Sequence, residues 1–173
     1  MKLFSVFFLA LSMASCMSQK IDSQNKNITF QTDKCLDDGK CTINILYNSK
    51  LEVKNDNFGN LYPEIKDGNK IVVKHQYRRD EIENIADSNY SEIILFEVDN
   101  DKIDLHLLNK NLQNVKMLYG RLCFCRGSTG YYKVEKGDLK VNFHKDKLEI
   151  DLYFEVDKIP QKINRITEIV PLK

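Results

Sequence analysis

The side chains best suited to chemistry in this 173-residue chain are four cysteines in two close pairs, Cys35 with Cys41 and Cys123 with Cys125. A cysteine serves as half of a disulfide, as a soft metal ligand or as a redox nucleophile, and spacing discriminates among these roles. Cys35 and Cys41 flank Leu36-Asp37-Asp38-Gly39-Lys40. If Asp37-Asp38-Gly39 forms a three-residue hairpin loop with Gly39 left-handed, the two cysteines face each other at about 4.5–5.5 Å between Cα atoms, within disulfide reach. Cys123 and Cys125 would lie about 6.5–7 Å apart in a regular strand, so a direct bridge needs a bulge or bend. Pairing across to Cys35 and Cys41 is the other disulfide arrangement. A metal or redox centre on Cys123 and Cys125 is the sharper alternative. Cys-x-Cys is not common zinc spacing, and His75, His106 and His144 are scattered singly. Thioredoxin-like chemistry uses Cys-x-x-Cys beside a βαβ unit, and the chain offers neither. Disulfides are therefore expected at all four positions, with no metal ligand assigned.

The candidate binding surface is the loop Arg126-Gly127-Ser128-Thr129-Gly130 with Tyr131 and Tyr132 behind it. Loops carry binding chemistry, and tyrosine gives large contact area at low entropic cost. Arg121 joins Arg126 as a second cation able to hold an anionic group. The bland reading is a hairpin loop with ordinary strand tyrosines and outward-snorkelling arginines. Elsewhere, Asn55-Asp56-Asn57-Phe58-Gly59-Asn60 and the group Asp99, Asp101 and Asp104 offer calcium-type oxygens. Neither follows the calcium-loop pattern, and both read as turns. Ser128 lacks a nucleophile elbow, Glu149 and Asp151 share a wet strand face, and phosphate-cradling glycine loops are absent, so no catalytic residue is assigned.

The elements that must position these residues are strands. Leu148, Ile150, Leu152, Phe154 and Val156 alternate with polar neighbours, and Leu139, Val141 and Phe143 do the same before the turn His144-Lys145-Asp146. Similar alternation marks Ile103 to Leu107. A further strand runs from Ile71 to about Tyr77. Ile43 to Tyr47 is expected to pair with Leu51 and Val53 through a turn at Asn48-Ser49. Val115 to Cys125 is apolar on both faces and reads as a central strand, with Gly120 marking a bulge. Asp80 could cap a short helical turn carrying Ile82, Ile85 and Ala86. Gln161 to Val170 fits helix or strand, and its β-branched content favours strand. The sum is an all-β fold. One domain, residues 28–173, is expected as an antiparallel meander of about ten strands closing as a barrel-like or sandwich structure.

The first sixteen residues address the chain. Lys2 precedes an apolar run, Leu3 to Leu11, too short to span a bilayer. Ser12-Met13-Ala14-Ser15-Cys16 follows, and resembles the lipobox of a bacterial lipoprotein signal, with Met13 where leucine is usual. The resemblance implies a signal peptide over residues 1–15, lipid on the Cys16 thiol and acylation of its new amine. Three acyl chains suffice for stable anchoring. Residues 16–27 are polar and read as a tether. Loss of Lys2 with the leader leaves 25 basic against 25 acidic residues, and no basic stripe suggests nucleic acid. Ala86-Asp87-Ser88-Asn89-Tyr90-Ser91-Glu92-Ile93-Ile94 and Gly120-Arg121-Leu122-Cys123-Phe124-Cys125-Arg126-Gly127 are similar to segments of small Gram-negative lipoproteins. That likeness implies a β domain in the envelope and transfers no catalytic residue. Met17-Ser18 lacks the Asp that resembles an inner-membrane retention signal, which favours the outer membrane. The expected protein is a non-enzymatic, membrane-tethered module for an envelope protein, a glycan or a small ligand, with the Cys16 lipid as its one attached group. The alternatives are an inhibitor or accessory subunit using the 126–132 loop, and the cysteine-based metal or redox protein.

Overall fold

Period-two patterning decides which strand face is buried, and in this chain it yields two cores. The computed structural model describes residues 27–32, 34–81, 83, 88–101 and 103–172. The leader expected over residues 1–15, the lipidation expected at Cys16, the tether expected up to residue 26 and the helical turn expected at Ile82, Ile85 and Ala86 lie outside the described residues. The strands are β1 (Ile28–Thr32), β2 (Gly39–Asn55), β3 (Leu61–Asp67), β4 (Lys70–Arg79), β5 (Tyr90–Asp99), β6 (Leu105–Leu108), β7 (Leu118–Cys123), β8 (Gly130–Lys133), β9 (Lys136–Phe143), β10 (Lys147–Glu155) and β11 (Arg165–Pro171). A 3-10 helix, Asn109–Val115, precedes β7.

Both sheets are antiparallel. In the first, β2, β3, β8, β7, β5 and β4 follow in that order, and β4 pairs back to β2. That closes a six-stranded barrel, with β1 added along β2. Closure removes the open edges that would otherwise invite association. The second sheet runs β11-β10-β9-β6 and packs on one face of the first. The fold is thus all-β and joins a barrel to a sandwich layer. Ile43, Val73, Ile94, Phe96, Tyr119, Leu139, Ile150 and Phe154 fill the inter-sheet core. Leu51, Val72, Ile93, Leu95 and Leu118 fill the barrel, the last four by opposite parity and Leu51 because the register of β2 shifts between Leu46 and Ser49. β5 serves both cores, since Ile94 and Phe96 point one way while Ile93 and Leu95 point the other.

Three expectations need correction. Ile43–Tyr47 and Leu51–Val53 are one 17-residue strand, not a hairpin. Asn48 takes a left-handed φ of 49°, which asparagine tolerates, and the β4 register shifts between Leu46 and Ser49. Beyond that bulge β2 pairs with β3. The segment Val115–Cys125 is not strand throughout, because Val115 closes the 3-10 helix and Lys116 adopts a left-handed φ of 53°. Gly120 is no bulge. It pairs in regular register with Ile93 and Tyr131, and a Cβ there would meet the Tyr131 ring at 2.5 Å. Glycine is required because a tyrosine lies across it. The last segment is strand, as its β-branched content favours, from Arg165.

Candidate functional site

Three separate stretches of chain converge on the ring of Tyr90, the first residue of β5. Arg79 ends β4, Arg121 lies on β7, and Lys162 precedes β11. Both guanidinium carbons lie 5.4 Å from the Tyr90 ring centroid, and Lys162 Nζ lies at 5.8 Å. Such contacts are attractive, because the electron-rich ring face meets each cation. Beneath the ring Glu92 is 2 % exposed. Its carboxylate accepts the Lys162 N–H at 2.7 Å, the Ile163 N–H at 2.8 Å and the Tyr90 hydroxyl. A buried charge needs such partners, and here they pin the residue 160–163 segment to the barrel. Burial, with the Glu92 hydrogen bond next, pushes the Tyr90 phenol up, so it donates.

Asp38 sits at the rim. Its carboxylate takes Lys162 Nζ at 2.6 Å and the Tyr77 hydroxyl at 2.7 Å, and those two bonds hold it below the usual carboxylate range. Arg79 Nη2 donates to the Ser88 carbonyl at 2.7 Å, while its Nε is buried with no hydrogen-bond partner. Arg121 donates from Nε to the Tyr90 oxygen at 3.3 Å and from Nη1 to Ser128 Oγ. Together with Cys123, Phe124 and Cys125 these cations line an open cleft of about 410 Å³. The arrangement presents positive charge and aromatic surface to a ligand.

The residues expected to form one surface are divided. Arg121 enters the cationic cleft, with Ser128 as its hydrogen-bond partner. Thr129 Oγ1 donates to the Arg121 carbonyl at 3.2 Å and, with Tyr131 and Tyr132, lines a second cleft of about 440 Å³. Leu61, Lys136 and Asp157 share that cleft. Tyr131 packs into the barrel core and Tyr132 against the inter-sheet core, so both rings are structural first. Arg126 is exposed in the turn after β7 and lines neither cleft. Sequence reasoning missed Arg79, Tyr90, Glu92 and Lys162. Arg79 was hidden beside Asp80-Glu81, yet it is Arg78 that meets Glu81, at 3.2 Å. Nothing local marks Lys162, whose partners lie 70 or more residues earlier in the chain.

Both close cysteine pairs are bonded, with Cα separations of 5.5 Å for Cys35–Cys41 and 5.1 Å for Cys123–Cys125. Cys35 does not oppose Cys41 across a tight hairpin, because Thr32 holds that register position and a wider turn follows. Gly39 is not left-handed. It is glycine because a Cβ would meet the Arg78 carbonyl at 2.5 Å. At Cys123 the strand ends and the chain bends, which supplies the shortening that the second bridge requires.

Among the described residues no group of three or more His, Cys, Asp and Glu side chains is placed to hold a metal ion. Asp56 instead accepts the Phe58 and Asn60 N–H groups, both at 2.8 Å, and Asp104 accepts that of Phe143 at 2.8 Å. Asp56 thus closes a local turn, while Asp104 ties the segment before β6 to the end of β9. The chain matches no family model, no curated protein and no solved structure.

Proposed function

We propose that this protein is a binding module of the bacterial cell envelope, tethered by lipid on Cys16, which holds an anionic group of its ligand in the Arg79–Arg121–Lys162 cleft. The observation that carries this reading is the convergence of three cations on one tyrosine ring beside an open cleft. Arginine suits an oxyanion because its fork of donors matches the anion's oxygens. Glu92 and Asp38 offset part of the charge, so the site favours a weakly held, exchangeable anion.

Titration calorimetry of the full chain with inorganic phosphate tests the site. Saturable binding, weakened about tenfold in Arg121→Gln, supports it, since one charged hydrogen bond contributes about 1.5–3 kcal/mol. Absence of saturable binding, or equal affinity in wild type and variant, overturns it. The anchor is tested separately by fatty-acid labelling in an exporting bacterium. Label and membrane retention are expected for the wild type and lost in Cys16→Ala.

A second reading keeps the accessory-subunit idea. Phe124, at the start of the 124–129 turn, is 85 % exposed and stands beside the same cleft. A partner protein would cover it. Phe124→Ser that abolished capture of an envelope protein without changing phosphate binding would favour this version.

A further inference from the structure

The Cys123–Cys125 bridge differs from Cys35–Cys41 in ring size and in setting. It closes a ring of three residues, against seven for the other pair. Cross-linking so short a stretch removes little entropy from the unfolded chain, so this bridge contributes less as a staple. Cys35, Cys123 and Cys125 are all half-buried, but Cys41 is 1 % exposed and sets one end of its bond in the core, whereas Cys123 and Cys125 both line an open cleft. The same cleft contains Arg79, Arg121 and Lys162. Cations lower the pKa of a nearby thiol and stabilise a departing thiolate. The ring also holds Phe124 out in solvent, an apolar contact at the mouth of the site for a partially folded chain.

We propose that Cys123–Cys125 is a thiol–disulfide exchange site that oxidises exposed dithiols on an envelope polypeptide. A substrate thiolate attacks one sulfur of the bridge and forms a mixed disulfide. The Cys123–Cys125 bond breaks, and its electron pair leaves on the other sulfur as a thiolate facing the cations. The substrate's second thiolate then attacks its own sulfur in the mixed disulfide and releases the remaining cysteine. The substrate gains a disulfide and loses two electrons and two protons. Cys123 and Cys125 take both and end as a dithiol. The inference goes beyond anion binding and does not depend on it, because the phosphate titration uses the oxidised protein and involves no thiol.

The test is a single-turnover reaction of the full chain, without oxygen, with an equimolar two-cysteine peptide carrying an aromatic residue. Acid quenching, alkylation and mass spectrometry then locate the label. The expected result is one oxidised peptide per chain, label on Cys123 and Cys125, and an intact Cys35–Cys41 bridge. Arg121→Gln/Lys162→Gln is expected to slow the exchange about threefold, the effect of one pK unit on the leaving thiolate at a Brønsted slope of about 0.5. Four results would overturn the proposal: no peptide oxidation, label appearing on both pairs together, label appearing only as the circular dichroism of the fold is lost, or equal rates in wild type and the charge variant. The label map on wild-type protein decides even if the charge variant fails to fold.

Discussion

Tyr119 and His75 are polar side chains buried in the protein interior, and each creates a different liability. The Tyr119 hydroxyl is buried without a hydrogen bond of ordinary geometry, and burial, reinforced by the nearby Glu92 charge, keeps it protonated. An unmet buried hydroxyl costs about 1–3 kcal/mol, so Tyr119→Phe is expected to stabilise the fold by about 1 kcal/mol in urea titration. A lower midpoint would show that the hydroxyl has a partner. His75, 4 % exposed, is held neutral because burial pushes its pKa down to about 4. The unfolded chain takes up that proton near 6.5, the folded chain only near 4. The unfolded state therefore binds more protons between those values. Stability is complete above pH 6.5 and falls by about 3 kcal/mol as pH drops to 4. Glu168 acts oppositely, because burial raises its carboxyl. The informative quantity is thus the difference between wild type and His75→Leu, which should lack this slope. Parallel stability–pH curves for the two would refute the assignment.

Elements meet at seams that local patterning does not describe. β2 loses β4 as a partner beyond Ser49, and the barrel there is completed by side chains. Glu97 accepts the Leu51 N–H at 2.7 Å, Lys116 Nζ donates to the Leu51 carbonyl at 2.7 Å, and the two charges meet at 2.8 Å. Glu97 is 4 % exposed, so Lys116→Met would strand a buried carboxylate and is expected to cost about 3–5 kcal/mol in chemical denaturation. A loss below 1 kcal/mol would mean that the Leu51 N–H alone satisfies Glu97. Strands with one wet face, such as β9 and β10, were legible because alternation is itself the burial pattern. The β2 bulge and the 3-10 helix were not. Asn48-Ser49 reads as a turn by residue type, and only the shift of pairing from β4 to β3 shows that the strand continues. Val115 and Met117 are buried like strand residues, yet burial alone does not distinguish a helix end from a strand. Gly120 reads as a bulge by residue type, whereas its cause is the Tyr131 ring of β8 lying across it, which no local pattern marks.

At the scale of the molecule, fold class was readable because it depends on many weak local signals that agree. The cationic cleft was not, because Arg79, Tyr90, Arg121 and Lys162 come from four segments whose proximity only barrel closure creates. Closure also bears on cooperativity. The barrel core and the inter-sheet core share no buried residue, which would allow two separate unfolding units. They share β5, however, whose successive side chains enter alternate cores. Neither core can lose its packing without releasing the strand that forms a wall of the other. Glu92 adds a second link, since this β5 carboxylate holds the Lys162 and Ile163 N–H groups that lead into β11. Leu95→Ala in the barrel and Leu152→Ala between the sheets should therefore each lower one common transition, by about 2–5 kcal/mol. Tyrosine fluorescence and far-ultraviolet circular dichroism should coincide through that transition in both variants. Two resolved transitions, one moved by Leu95→Ala and the other by Leu152→Ala, would show that β5 does not couple the cores and that the barrel and the second sheet unfold separately.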